Sequence, residues 1–249
     1  MIFFEYPFNE RVRTYLRLEY LFDRLFFTIQ SSDTRLHQIA ISTLFDIIDA
    51  IDRSDIKGSM LQDLEKQRLF LLNLRKYKNV NHRMLELAIS ELGDVSSNLV
   101  SSGRPGHALR DNEWLNSLRG KLLFSGCAAQ ADMPSYYFWQ NKSESNRRED
   151  LNNWTSHINP LFESLKMVLS LLRESGNFVE CVSNNGEYQR MLGGKEYQLL
   201  RLCLHEEQGI FPEISANKHM ISIRFSSQDS NLKSLVVKCD VAFKIAFCR

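Results

Sequence analysis

The chain has 249 residues, 43% of them hydrophobic, enough for a sizeable core without disulfide or metal staples. Its 31 lysines and arginines almost balance 30 aspartates and glutamates, for a formal net charge of +1. That balance excludes a general polyanion binder, whose footprint is strongly basic, and a highly charged disordered chain.

The first residues alternate, with Ile2, Phe4 and Tyr6 on one side, and predict a short strand that stops at Pro7. Helical spacing follows. Asn9 caps a predicted helix through about Gln30, with Tyr15, Leu18, Phe22, Leu25 and Ile29 on its apolar face. A second helix, about Thr34 to Arg53, is expected to turn Leu36, Ile39, Leu44, Ile47, Ile48 and Ile51 inward. A third covers about Asp55 to Tyr77, and a fourth, about Asn81 to Ser102, carries Leu85, Ala88, Leu92, Val95 and Leu99 on one side. Long helices with short connections pack antiparallel, so a bundle is expected. GRPGH at Gly103 to His107 breaks the pattern before a helix over Asp111 to Leu123. From Gly126 to Asn146 the pattern is mixed, and SYYFWQ after Pro134 fits either a helix or a strand. Helical spacing returns at Arg147 to His157, and Pro160 opens an apolar helix that Gly176 ends.

Beyond Gly176 the period falls from about 3.6 to 2. FVECV and EYQRM flank SNNG, whose Asn-Gly step favours a tight hairpin. Leu200, Leu202 and Leu204 alternate with Arg201, Cys203 and His205, and Ile221, Ile223 and Phe225 with Ser222 and Arg224. A last strand is predicted from Leu235 to Phe247, with Val237, Cys239, Val241, Phe243 and Ile245 on the same face. Such alternation predicts an antiparallel sheet with one buried and one largely wet face. The expected fold is α+β: an N-terminal strand at 1–8 that joins the sheet, an antiparallel helical bundle at 9–175 and an antiparallel β-sheet domain at 176–249.

Motifs for chemistry are sparse. Cys127, Cys181, Cys203, Cys239 and Cys248 form no CxxC pair and read as thiols of a reducing compartment. The amino terminus has no apolar stretch of signal length, and no run of about 18 apolar residues occurs, so a cytoplasmic protein without membrane insertion is expected. MLGGKE at Met191 to Glu196 imitates a phosphate loop but puts Glu196 where a hydroxyl belongs, and reads as a turn before a strand. His37, His82, His107, His157, His205 and His219 form no HxxxH or HExxH pair, so neither a metal nor a cofactor is expected. What remains is surface basic charge. Arg13, Arg17 and Arg24 share an arc of the first helix, Arg53 and Lys57 stand between the second and third, and Arg104 and Arg110 flank the central break. Lys218, His219 and Arg224 cluster near one strand.

FEYPFNERVRTYLRLEYLF at Phe4 to Phe22, GRPGHALRDN at Gly103 to Asn112, NPLFESLKMVLSLLRES at Asn159 to Ser175, and LLRLCL followed by FPEISANKHMISIRF at Phe211 to Phe225 stand in collinear order. Together they resemble the Z-ring-associated protein D (ZapD) family over nearly the whole chain. The resemblance implies a bacterial division factor, not an enzyme: a homodimer that binds the tubulin-like GTPase FtsZ near its C-terminal tail and bundles its filaments at the mid-cell ring. A mixed acidic and apolar tail needs hydrophobic walls and arginines placed for carboxylates. Block by block, the resemblance points to Arg53 and Arg224, then Arg17, Arg110 and Lys218, as partner-binding residues; Met220 and Glu113 stand where basic residues are expected in some relatives. The alternative is a small-molecule enzyme or ligand sensor using a cleft between bundle and sheet with His205, Glu206 or Cys203. Nucleic-acid binding through the first helix is disfavoured by the near-zero net charge.

Overall fold

Asn9 opens the helical run because its Oδ1 accepts the Val12 amide at 2.8 Å, satisfying a donor that the first turn leaves without a partner. In the computed structural model, which describes residues 1–53, 55–122 and 131–249, nine α-helices follow among the described residues. They are α1 (Glu10–Ile29), α2 (Thr34–Asp52), α3 (Ile56–Leu74), α4 (His82–Ser101), α5 (His107–Arg110), α6 (Glu113–Leu122), α7 (Pro134–Gln140), α8 (Glu144–Ser156) and α9 (Asn159–Glu174). The predicted helix end at Leu123 and Cys127 lie outside the described residues. SYYFWQ is helical, with Pro134 in the first turn, where its missing N–H is no loss.

Residues 14–168 form a helical unit. The predicted face of α1 is buried as its spacing requires: Tyr15, Leu18, Phe22, Leu25 and Ile29. Phe22 and Phe26 meet Phe162 with ring centroids 5.1 and 4.8 Å apart. On α2 the expected face is partly wrong. Ile39 is exposed and Leu36 half-buried, while His37, Ala40, Ile41 and Thr43 are inside. The reason is polar satisfaction, which hydropathy does not register. His37 Nε2 bonds the Ser31 carbonyl at 2.8 Å, and its Nδ1 accepts from the buried Arg147 Nε at 3.1 Å. Arg147 also donates to the Gln140, Lys142 and Ser32 carbonyls, stitching the α7–α8 turn to the α1–α2 turn. Thr43 donates to the Ile39 carbonyl at 2.7 Å and accepts from Arg24 at 2.8 Å.

Residues 1–13 and 169–249 form a second unit, with eight strands among the described residues: β1 (Ile2–Pro7), β2 (Val179–Val182), β3 (Glu187–Met191), β4 (Leu199–Leu204), β5 (Ile210–Ala216), β6 (Met220–Gln228), β7 (Ser234–Val236) and β8 (Ala242–Cys248). They make two antiparallel sheets, ordered β1-β4-β8-β2 and β3-β6-β5, with β7 also on β6. The N-terminal strand joins a sheet as expected, Phe4 facing Leu202 and Tyr6 facing Leu200. Between the sheets lie Leu200, Leu202, Leu204, Ile221, Ile223, Phe225, Val241, Phe243 and Ile245, each worth roughly 1.5–3 kcal/mol when fully buried.

Three strand expectations need correction. The run from Leu235 to Phe247 is two strands: β7 pairs with β6 in one sheet and β8 with β4 in the other, leaving Leu235 and Cys239 exposed. The alternation continues through the crossing, so period alone conceals it. Asn185 and Gly186 do turn with positive φ, 51° and 78°, yet β2 and β3 then part into different sheets. The outer face of the first sheet is not largely wet either. Leu199, Cys203, Ala246 and Cys248 are buried there. Cys248 lies under the end of α9, its Sγ 3.8 Å from the Arg173 carbonyl oxygen. On the same face Glu5 accepts from Arg173 at 2.7 and 2.8 Å and from Arg201 at 3.1 Å, and Arg201 lies over the Phe3 and Phe178 rings.

Candidate functional site

The arginines expected to meet a partner divide into engaged and free groups. Arg110 is engaged. It holds Asp52 through Nε and Nη2 and donates from Nη1 to the Pro105 carbonyl at 3.0 Å. Gly103 and Gly106 have φ of 67° and 72°, so the GRPGH break folds back and Arg110 clasps it to the end of α2. Arg104 approaches the same Asp52 at 3.7 Å, and Lys57 donates to the Val100 and Gly103 carbonyls at 3.0 and 2.6 Å. Arg53 is the residue after Asp52. It caps α2, is exposed and has no hydrogen bond or ion pair among the described residues. The C-terminal end of α2 thus carries Arg104 and Arg110 on Asp52, with Arg53 beside them in sequence, where the helix dipole also favours positive charge.

Arg17 is exposed and has no partner among the described residues. Its expected neighbours on the arc are occupied: Arg13 pairs with Glu10 at 3.1 Å and Arg24 with Asp46 at 2.5 Å. In the sheet unit, Arg224 stands opposite Glu187 on one neighbouring strand and Glu213 on the other, with Glu187 3.3 Å away. It is a cross-strand ion-pair partner in the first instance. Lys218 sits in the β5–β6 turn, exposed and without a partner among the described residues. Met220, at the start of β6, faces Met191 across the strand pair. Of the alternative's residues, Cys203 and His205 line an open groove of about 310 Å³ in the sheet unit, and Glu206 does not. Among the described residues no three His, Cys, Asp or Glu side chains are grouped to hold a metal.

One feature escapes a search for charge. The α3–α4 hairpin is anchored by Met60, Leu64, Leu85, Leu92 and Leu99, all buried, but Leu69, Phe70, Tyr77, Met84 and Leu87 at its far end are half or more exposed. Arg75 and Glu86 fasten this end with two hydrogen bonds of 2.6 and 2.8 Å, which hold the Glu86 carboxyl below its usual range. At 3.6 residues per turn, Phe70 is turned roughly 140° from Arg75, and Met84 roughly 200° from Glu86. Phe70 and Met84 therefore each point away from the side of their own helix that carries the ion pair. Such an apolar surface is what a short hydrophobic segment needs. Its sequence signal is the run Leu69 to Leu72: four consecutive apolar residues on a helix span roughly 300° and cannot share one buried face.

These observations define an α+β protein of a helical unit and a two-sheet unit, with arginines that have no partner among the described residues and with exposed apolar residues on a helical hairpin. A family model described as ZapD, cell division protein, matches residues 16–224. The chain is 54% identical over 248 residues to the cell division protein ZapD of Bordetella pertussis, covering 100% of this chain and 98% of the relative. Identity is 44% to that of a Janthinobacterium species and 41% to that of Ralstonia pickettii, each covering 100% of this chain and 99% of the relative. The chain belongs to the ZapD family of cell division proteins. No helix among the described residues is long and apolar enough to cross a membrane.

Proposed function

We propose that the protein is a non-enzymatic, cytoplasmic cross-linker that binds the C-terminal tail of the division GTPase FtsZ, and that a homodimer of it bundles FtsZ filaments at the mid-cell ring. The observation that carries the reading is the set of exposed apolar residues at the far end of the α3–α4 hairpin, on the same unit as Arg53 and Arg17, which have no partner among the described residues. Along α3, the rise from Ile56, three residues after Arg53, to Phe70 is roughly 21 Å, which an extended tail of about seven residues can span. A tail with apolar residues at one end and carboxylates at the other would place each against its match. Lys218 and Arg224 in the sheet unit extend the set of cationic candidates, Arg224 only by exchanging Glu187 for the partner's carboxylate.

Cross-linking follows from valence. A dimer offers two docking sites and a filament many tails, so modest single-site affinity is multiplied by roughly 10²–10⁴ where both sites engage. Pelleting of GTP-assembled FtsZ tests the reading. The full chain is expected to co-pellet and to thicken the polymers into bundles. Equal co-pelleting with FtsZ that lacks its C-terminal tail would refute the tail as the contact, and no co-pelleting would refute the partner.

A further inference from the structure

The three tryptophans of the chain meet in one place. Trp114 on α6, Trp139 on α7 and Trp154 on α8 have ring centroids 5.4 to 6.0 Å apart. Trp139 is buried and stacks on the buried Tyr136 at 6.0 Å. Trp114 and Trp154 are only half-buried, and with the exposed Phe138 they line an open pocket of about 430 Å³. The arginines discussed above are not among the lining residues, and the pocket lies apart from the hairpin's exposed residues in sequence.

A carboxylate shares this pocket. Asp150 Oδ2 accepts from the Trp139 indole N–H and from Lys142 Nζ, both at 2.9 Å. Its Oδ1 accepts no hydrogen bond among the described residues, although the side chain is about one-third exposed. Electron-rich indole faces attract a cation. The open oxygen can accept from an N–H of the cation, which a quaternary ammonium lacks. Stacked, half-exposed indoles further favour a planar group over a compact ammonium, because guanidinium lies flat on aromatic faces and is weakly hydrated. A phosphate or carboxylate ligand would instead face the Asp150 charge.

We infer that this pocket binds an arginine side chain of a partner segment, its guanidinium packed against the Trp114–Trp154 indole pair and donating to Asp150 Oδ1. Lys142 competes for the same carboxylate from the other oxygen. The inference stands independently of FtsZ, and its test uses none.

Tryptophan emission reports on this pocket alone, since the chain has no tryptophan elsewhere. The full chain is titrated with N-acetyl-arginine methylamide and, in parallel, with the citrulline analogue, which keeps the planar shape but not the charge. The arginine probe is expected to saturate in the millimolar range and the citrulline probe to bind about tenfold more weakly or worse. Asp150→Asn should weaken the arginine probe about tenfold. Lys142→Met should tighten it several-fold. Equal responses to the two probes, no saturable response in the native chain, or weakening by Lys142→Met would each overturn the assignment. Lys142 is partly exposed, so its variant decides the matter even where Asp150→Asn perturbs Trp139 packing, which circular dichroism would reveal.

Discussion

Truncation of Phe70 to alanine separates docking from folding. Phe70 is 58% exposed, and with roughly 200 Å² on a phenylalanine side chain, about 120 Å² awaits cover. At about 25 cal/mol per Å², full cover is worth about 3 kcal/mol, of which alanine retains a part, so the variant should lose about 2 kcal/mol per docking site. That is about thirtyfold in Kd. Bundling by a two-site cross-linker should fall more steeply than single-site binding, because both ends are weakened. The folded chain should lose less, about 1 kcal/mol, because under half of the ring is covered and alanine retains part of that cover. The assay is co-pelleting with FtsZ polymers across a concentration series, with a thermal melt of the same preparation. An unchanged half-saturation in the folded variant would refute the hairpin as the docking surface. A melt lowered by far more than this loss implies would refute the claim that Phe70 is only partly committed to the fold. Leu87→Ala, on the facing helix, provides the replicate.

Other expectations follow from the same contacts. Arg53→Glu should weaken co-pelleting while the melt stays within a degree or two, since Arg53 has no partner among the described residues; unchanged co-pelleting would exclude Arg53. Arg224→Glu should lower stability by about 1 kcal/mol, because the new carboxylate would stand between Glu187 and Glu213 in register; an unshifted urea midpoint would contradict this. Gly186→Ala should destabilise by about 3 kcal/mol or more: φ is 78°, and a Cβ would lie 1.9 Å from the Val237 carbonyl oxygen. A midpoint within about 0.5 kcal/mol of native would refute that packing. His37 is held below its ordinary pKa, chiefly by burial and then by the Arg147 charge. The folded state therefore takes up a proton later than the unfolded one as pH falls. The stabilisation is complete above about pH 6.5, the unfolded value, and erodes as pH drops through the window beneath it, at no more than about 1.4 kcal/mol per pH unit. His37→Gln, which keeps an acceptor for Arg147, should flatten that slope in urea titrations between pH 7 and 5, and an unaltered slope would assign it elsewhere.

Much of the fold was legible because one signal dominated each element. The α1 face repeats at three and four residues without interruption, and Ile221, Ile223 and Phe225 of β6 alternate cleanly, so their buried sides could be read directly. The failures occur where burial is decided by partners remote in the chain. His37 reads as a surface residue until Arg147, 110 positions later, meets its ring nitrogen. The β7–β8 crossing preserves a period of two while the hydrogen-bond partners change sheet. Cys248 and Ala246 look solvent-facing by alternation and are buried nevertheless, Cys248 against the end of α9.

The same remoteness explains why the sequence does not show which cations are already paired within the fold. Asp52 is 58 positions from Arg110, and Glu187 is 37 from Arg224; no local pattern announces either pair. Once they form, two of the five cationic candidates are already satisfied within the fold, and Arg17, Arg53 and Lys218 remain as exposed charges without described partners. Three exposed cations, each worth about 1 kcal/mol or less in water, would make a weak and readily screened site by themselves. The apolar hairpin end changes that order of importance. Under the proposed function its burial would supply affinity that salt does not screen, and Arg17 and Arg53, without partners among the described residues, would select among apolar segments for one that carries carboxylates. A chain with near-equal opposite charges can in this way choose an acidic tail without becoming a general binder of anions.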